Sequence, residues 1–118
     1  MAPRKGAWAE EEAARWLISQ GAEILKRNYA IVGAEIDLIL RDEGFVAFAE
    51  VKSSQKEAGC RMRVTPAKQK RICRAALKYA AEQNLLSSPL RFDVLEVTPR
   101  GIVWLKNAFP YQESPEHF

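Results

Sequence analysis

The sequence predicts one α/β domain, in which a mixed β-sheet is flanked by helices in the order α-β-β-β-α-β-β. Along the chain, stretches with a helical repeat of three to four residues alternate with stretches of strand-like pattern. The 118 residues, 47% of them hydrophobic, suffice for one core but not for two ordinary domains. We therefore assign residues 1–109 to a single domain and residues 110–118 to a C-terminal tail.

Local signals indicate where each element begins and ends. The first helix should end at Gly21, and the strand after it should be irregular near Asn28. Thr65 as N-cap, with Pro66 at the first helical position, is a strong start signal for the second helix. The predicted elements are helices over residues 6–20 and 66–84 and strands over residues 22–32, 35–41, 45–51, 90–97 and 101–105.

Composition excludes several classes of protein. No segment approaches the roughly 20 apolar residues of a membrane-spanning helix, and the N-terminus has no apolar signal-peptide core, so we expect a soluble cytoplasmic protein without a membrane partner. Cys60 and Cys73 lack disulfide-motif or zinc-ligand spacing, so both should be reduced thiols. His117 lies in the polar tail, which argues against a serine or cysteine nucleophile with a histidine base.

The formal net charge of +3 says less about partners than its distribution does. A long run around the second helix contains no acidic residue, and the carboxylates lie mainly elsewhere. Such a run is either a solvated helix face or a surface that contacts a phosphate backbone. Its basic residues are Arg61, Arg63, Lys68, Lys70, Arg71, Arg74 and Lys78.

Charged and apolar residues alternate along the second predicted strand. Alternate side chains of a regular strand share a face, so Glu35 and Asp37 should point one way, and Ile36 and Leu38 the other. This rule predicts a charged face and an apolar face for the strand.

The hairpin that follows should bring the charges of two strands together. A two-residue turn at Glu43-Gly44 sets Asp37 opposite Glu50 and Glu35 opposite Lys52. All four charges would then form one patch.

A pair of facing carboxylates destabilises a sheet unless something positive lies between them. Mg²⁺ would bind Asp37 and Glu50 together with waters and phosphate oxygens, and Lys52 could contact a scissile phosphate and the attacking water. Any half-exposed strand shows the same alternation, so a purely structural explanation stays open. Glu10, near the packed face of the first helix, either binds the metal or a water, or caps or salt-bridges a neighbour.

At these residues the sequence resembles the YraN-like family of uncharacterised bacterial proteins. That family is similar to the PD-(D/E)xK nuclease superfamily, and to archaeal Holliday-junction resolvases in particular. The resemblance spans nearly the whole chain. Its motifs are Gly6-x-x-Ala9-Glu10-x-x-Ala13, Arg27-Asn28, Gly33-Ala34-Glu35-Ile36-Asp37-Leu38-Ile39, Phe48-Ala49-Glu50-Val51-Lys52, Lys68 and Arg91-Phe92-Asp93-Val94.

The resemblance implies a restriction-endonuclease-like core with a Mg²⁺ or Mn²⁺ cofactor. It implies Asp37, Glu50 and Lys52 as catalytic residues and Glu10 as an accessory acidic residue. Taking the charge pattern and the resemblance together, we predict Asp37, Glu50 and Glu10 as metal ligands, and Glu35 and Lys68 as accessory residues. Ala34, Ala49 and Ser54 depart from the family pattern. An arginine often stands at the position of Ser54, so Arg61 or Arg63 would have to supply that phosphate contact.

We therefore predict a metal-dependent endonuclease acting on structured or branched DNA. The residues expected to contact nucleic acid are Arg61, Arg63, Lys70, Arg71 and Arg74. One alternative is a non-catalytic nucleic-acid-binding protein that retains a nuclease fold, and another is a protein-interaction domain without a nucleic acid partner. A homodimer would suit a symmetric junction, although no sequence feature requires one.

Four further residues near the end of the chain are expected to have no role in catalysis. Asp93 and Glu96 should face solvent from a strand of alternating pattern. Trp104 and Phe109 should belong to the core or to an interface rather than to a base-stacking platform.

Overall fold

The computed structural model describes residues 7–53 and 64–112. The elements within these ranges follow the predicted order, and they are α1 (Ala7–Ser19), β1 (Glu23–Ile31), β2 (Ala34–Asp42), β3 (Phe45–Ser53), α2 (Pro66–Glu82), β4 (Leu90–Thr98) and β5 (Gly101–Leu105). The strands form one sheet in the order β1-β2-β3-β4-β5, antiparallel except for the parallel pair of β3 and β4. The mixed α/β sheet is therefore confirmed. The predicted positions that lie outside the described residues are Gly6, Ser54, Cys60, Arg61, Arg63 and His117.

The helix boundaries follow the predicted capping residues. The turn after α1 is closed at Gly21, where the backbone N–H of Ala22 donates to the carbonyl of Leu17 at 3.0 Å. Thr65 caps α2, because its Oγ1 accepts a hydrogen bond of 3.2 Å from the backbone N–H of Lys68. Helix α2 ends at Glu82, two residues earlier than predicted.

The sheet carries one helix on each face, and each helix covers its own core. Helix α2 connects the parallel strands β3 and β4, which a short turn could not join. The core beside α1 consists of Ala9, Ala13, Ala14, Leu17, Ala22, Leu38, Leu40, Ala47, Ala49, Leu95 and Val97. The core beside α2 includes Ile36, Ile39, Val46, Phe48, Val64, Ile72, Ala76, Tyr79, Phe92, Val94 and Phe109. Placement of Phe109 in the core confirms that prediction.

The turn between β2 and β3 has the predicted two-residue form. Both Glu43 and Gly44 have positive φ, 51° and 87°, as a tight hairpin turn that matches the strand twist requires. The register therefore begins with Asp42 opposite Phe45, as expected.

Strand β2 changes face at Asp37, which corrects the predicted alternation. Ile36 packs in the core beside α2 and Leu38 in the core beside α1, although a regular strand would place both side chains on one face. Opposite this point, Asn28 of β1 adopts a left-handed φ of 52°, which asparagine tolerates better than most residues. The irregularity predicted near Asn28 is confirmed, and it lies beside the reversal in β2.

Strand β4 is buried on both faces, so the prediction for its charged residues was wrong. Asp93 is fully buried and Glu96 nearly so, instead of facing solvent. The physical reason is the central position of β4, which pairs with β3 on one side and β5 on the other and is covered by both helices.

Two composition-based expectations can be compared with the described residues. Cys73 is buried, and burial raises the pKa of its thiol, although the backbone N–H of Gln112 donates to its Sγ at 3.3 Å and acts in the opposite direction. This agrees with an unreactive reduced thiol. None of the helices within residues 7–53 and 64–112 has the length and apolar character needed to cross a membrane.

Candidate functional site

The strands β2 and β3 cease to pair just before Asp37 and Glu50. Their ladder ends at the pair Leu38 and Ala49, so Asp37 is the first residue of β2 beyond it. There the Oδ2 of Asp37 accepts a hydrogen bond of 2.8 Å from the backbone N–H of Val51. A side chain thus takes the place of a backbone hydrogen bond, and β3 holds the Asp37 carboxylate in position.

Asp37 and Glu50 form a buried pair of carboxylates. Both residues are less than a tenth exposed, and their carboxyl groups are close enough for a hydrogen bond between them. Burial, followed by the negative charge of Glu50, raises the pKa of Asp37 to about 8, although the Val51 N–H lowers it. The proximity predicted from the hairpin register is therefore present.

Glu10 approaches the same pair from helix α1. It is buried on the helix face that also carries Ala9 and Ala13, and its negative charge contributes to the raised pKa of Asp37. A carboxylate on the packed face of α1 thus acts electrostatically on Asp37, where β2 and β3 separate.

Lys68 reaches the site from the opposite face of the sheet. It lies in the first turn of α2, and its Nζ forms an ion pair with Oε2 of Glu50. The side chain of Glu50 is 7% exposed and that of Lys68 is 40% exposed, so the lysine covers the carboxylate from the solvent side.

Lys52 and Glu35 differ in burial and in their backbone partners. Lys52 follows Glu50 by two residues on β3 and is half-buried, with Glu96 of β4 as its neighbour in the parallel register. Glu35 is exposed and pairs with Ala30 of β1, in a part of β2 beyond the ladder with β3. The predicted pairing of Glu35 with Lys52 is therefore absent from the backbone ladder, and Glu35 as a member of the patch stays a prediction.

The donor atoms of the site suit a hard cation only in part. Among residues 7–53 and 64–112, no three His, Cys, Asp or Glu side chains are arranged so that they alone could hold a metal ion. Two oxygen-donating carboxylates, Asp37 and Glu50, do lie together, and Mg²⁺ is commonly held by one or two carboxylates with waters and substrate oxygens. The residues fit a metal that is completed by solvent and substrate, and Glu10 as a direct ligand stays a prediction.

The basic residues of α2 divide into exposed and engaged ones. Lys70 and Arg71 are exposed. Arg74 is half-buried and donates from its guanidinium to the carbonyl of Val32 at 3.0 Å. A side chain at Gly33, where φ is 82°, would come within 2.9 Å of the same guanidinium. Arg74 is therefore committed to the β1–β2 turn.

A second group of charged residues, most of them buried, lies near the β2–β3 turn. This group was not predicted from the sequence. Arg91 donates to both oxygens of Asp93, at 2.9 and 2.8 Å, and to Asp42 at 3.0 Å. Asp93 also accepts from the indole N–H of Trp104, and Lys106 pairs with Asp42 at 3.0 Å. The signal was available, because apolar residues on both faces of β4 indicate a central strand whose charges are buried.

Comparison with known proteins identifies a family that is described as uncharacterised. The model of a family described as uncharacterised protein family UPF0102 matches residues 9–97. A UPF0102 protein of Ralstonia pickettii is 38% identical over 110 residues, covering 88% of each chain. One from Cupriavidus necator is 42% identical over 108 residues, covering 89% of this chain and 82% of its own. One from Klebsiella pneumoniae is 41% identical over 107 residues, covering 87% and 83%.

Proposed function

We propose that this chain, which belongs to the uncharacterised protein family UPF0102, is a metal-dependent endonuclease that hydrolyses phosphodiester bonds in structured or branched DNA. The observation that carries the proposal is the buried pair of Asp37 and Glu50 at the end of the β2–β3 ladder. Strongly perturbed carboxylates cluster at functional sites, because such crowding costs stability and is seldom kept without a use. The preference for branched DNA rests on the resemblance to Holliday-junction resolvases of the PD-(D/E)xK superfamily.

Asp37 and Glu50 would hold Mg²⁺ or Mn²⁺. When bound, such a cation polarises a phosphoryl oxygen and lowers the pKa of a coordinated water. The Val51 N–H fixes one oxygen of Asp37, so this carboxylate is oriented before any ligand arrives. Lys52, beside Glu50 on β3, would stabilise the negative charge that develops on the phosphate.

The exposed part of α2 supplies cations for the rest of the nucleic acid. Lys70 and Arg71 are exposed on the helix that begins beside Glu50, so a strand bound at the site could contact both. Contacts with phosphates position a substrate without reading its sequence. We therefore expect recognition of DNA shape, with an affinity that falls steeply as salt rises.

A non-catalytic nucleic-acid-binding protein is the second candidate. It is favoured by the ion pair between Lys68 and Glu50, which occupies one carboxylate of the pair, and by the lack of a three-ligand metal set in the described ranges. This candidate predicts salt-dependent binding without cleavage, and binding that is unchanged by Lys52→Ala.

A cleavage assay on four-way junction, flap, single-stranded and duplex DNA with Mg²⁺ or Mn²⁺ tests the proposal. We expect cleavage by the wild-type chain that is lost in Asp37→Asn and in Glu50→Gln. Asp42→Asn is the matched control, since Asp42 is a buried aspartate on the same strand but at its other end, and it should retain cleavage once circular dichroism verifies its fold.

The remaining outcomes separate the candidates. Cleavage that survives both Asp37→Asn and Glu50→Gln would show that the residues are wrongly assigned. Binding without cleavage would favour the non-catalytic module. A chain that binds no nucleic acid even at low salt would contradict both candidates and favour a protein-interaction domain.

A further inference from the structure

We infer that Lys68 and the divalent cation compete for Glu50, and that cation binding releases Lys68 from its ion pair with Glu50 to contact a substrate phosphate. This inference rests on the proposed metal site and adds a coupling between the two ligands of that site. It assigns Lys68 two successive partners, a carboxylate and then a phosphate.

In this ion pair the lysine side chain is partly exposed, whereas the carboxylate is nearly buried. The backbone of Lys68 is anchored, because its N–H donates to the capping Oγ1 of Thr65. Its side chain crosses from α2 to Glu50 and remains 40% exposed, so the ammonium can leave toward solvent without disturbing the core. The carboxylate of Glu50 is nearly buried and stays in the sheet.

The charges around Glu50 explain why a positive side chain pairs with it. Asp37 lies within hydrogen-bond distance of Glu50, and the charge of Glu10 also acts on Asp37. When Asp37 and Glu50 are both ionised, they repel one another in a poorly solvated position. The Lys68 ammonium lowers that repulsion through its ion pair with Glu50.

A divalent cation bound to Glu50 would compete with the ammonium for its carboxylate. A metal bound between Asp37 and Glu50 would lie within a few ångströms of Nζ, and the repulsion between two positive groups at that distance is strong where water is scarce. In this proposal metal binding breaks the ion pair, so the apparent metal affinity equals the intrinsic affinity multiplied by the fraction of molecules in which the pair is already open.

The released ammonium is positioned for a phosphate. It would remain at the solvent side of the site, on the same helix as the exposed Lys70 and Arg71. Metal and nucleic acid should then strengthen each other's binding, because the metal frees a cation for the phosphate and the phosphate draws that cation away from the metal.

Calorimetric titration of the full chain with Mn²⁺ tests the first step. Lys68→Met removes the charge but keeps most of the aliphatic stem, and we expect it to bind Mn²⁺ about five to ten times more tightly than the wild type does. Lys106→Met is the matched control, because Lys106 is 41% exposed and ion-paired with a carboxylate that is 7% exposed, in the other buried cluster. It should leave the Mn²⁺ affinity unchanged, and Asp37→Asn should remove binding.

The outcomes of this titration distinguish the two levels of the proposal. If Lys68→Met binds Mn²⁺ no more tightly than the wild type, and Asp37→Asn removes binding in either background, the displacement of Lys68 by the metal is overturned and the metal site stands. If neither the wild type nor Lys68→Met binds Mn²⁺, the metal site fails and the displacement fails with it. Binding seen only in Lys68→Met supports the displacement in its strongest form.

The second step is tested by the affinity for a labelled four-way junction, measured with EDTA and again with Ca²⁺. Ca²⁺ has the oxygen preference of Mg²⁺. The wild-type chain should gain several-fold in affinity on addition of Ca²⁺, and Lys68→Met should gain clearly less, while Lys106→Met gains as much as the wild type. An equal gain in the wild type and Lys68→Met would show that Lys68 is not transferred to the phosphate.

Discussion

The two ends of strand β2 each carry a buried aspartate, and the two residues have opposite surroundings. Asp42 is 6% exposed and Asp37 is 8% exposed, so burial alone does not distinguish them. Burial raises the pKa of Asp42, but hydrogen bonds from Lys106 and Arg91 outweigh it and leave the pKa below its ordinary value. At Asp37, burial and the charge of Glu50 act together and raise the pKa to about 8.

The difference teaches how a structural carboxylate can be separated from a candidate functional one. At the Asp42 end, Asp93 provides the second negative charge, and Arg91 and Lys106 match the pair with two positive ones, all of them held by short contacts. At the Asp37 end, a second carboxylate, Glu50, lies beside Asp37, and the ammonium of Lys68 pairs with Glu50. Such an arrangement lowers stability and is retained when a ligand needs the charge.

The largest effect is expected from Arg91→Ala, which would leave Asp42 and Asp93 buried with too little positive charge. Loss of one partner from a buried ion pair typically costs about 3–5 kcal/mol, so we expect a loss of this size in the free energy of unfolding. Chemical denaturation measures it. Arg15→Ala is the control, since Arg15 belongs to an exposed pair with Glu11, and a loss below about 1 kcal/mol for Arg91→Ala would contradict the structural assignment.

At the other end of β2, we expect the free energy of unfolding of the wild type to depend on pH through Asp37. The pKa of Asp37 is raised in the folded protein from an ordinary value of 3.8 to about 8, so the folded state binds this proton more tightly. The resulting stabilisation is complete below about pH 4 and is lost as the pH rises through 8. Relative to Asp37→Asn, the wild type should therefore lose roughly 1–3 kcal/mol between pH 5 and pH 8.

Denaturation of both proteins at several pH values tests this slope. The comparison of the wild type with Asp42→Asn should show the reverse dependence on pH. Because the pKa of Asp42 is lowered in the folded protein, the stability that Asp42 contributes is lost as the pH falls below the ordinary pKa of an aspartate. Equal pH slopes for wild type and Asp37→Asn between pH 5 and pH 8 would remove the contrast between the two aspartates.

Much of the fold could be predicted because its boundaries are encoded locally. Thr65 and Pro66 start α2, and the turn at Glu43-Gly44 fixes the register of β2 and β3 through its own backbone geometry. That register predicted that Asp37 lies beside Glu50, and the fold places them together. A short turn therefore predicted a contact between residues thirteen positions apart.

The remainder depends on neighbours that the sequence does not mark. The face reversal at Asp37 accompanies a left-handed Asn28 on another strand, so no pattern within β2 reports it. Burial of Asp93 was missed because the charge of a residue was taken as a sign of exposure, whereas the buried Arg91 beside it supplies the partner that permits burial. The ion pair of Lys68 with Glu50 likewise joins segments whose relative position is set by the whole sheet.

A divalent cation should discriminate between the two ends of β2. Mn²⁺ at ten times its dissociation constant stabilises a protein that binds it only when folded by about 1.4 kcal/mol. We expect a corresponding rise in the thermal unfolding temperature of the wild type and of Asp42→Asn. Asp37→Asn should show no rise, and an equal rise in both asparagine variants would place the cation elsewhere.

The smallest effects should come from the two lysines that cover these carboxylates. Lys68→Met and Lys106→Met each remove a half-exposed partner of a nearly buried carboxylate, and each should cost about 0.5–1 kcal/mol. Saturating Mn²⁺ should offset the loss in Lys68→Met, because the metal supplies the missing charge at Glu50, but leave the loss in Lys106→Met unchanged. Thermal unfolding of the two variants with and without Mn²⁺ measures this difference. Equal responses would mean that Lys68, like Lys106, is a permanent structural partner. If the metal displaces Lys68, then the metal can also supply the positive charge that Lys68→Met removes.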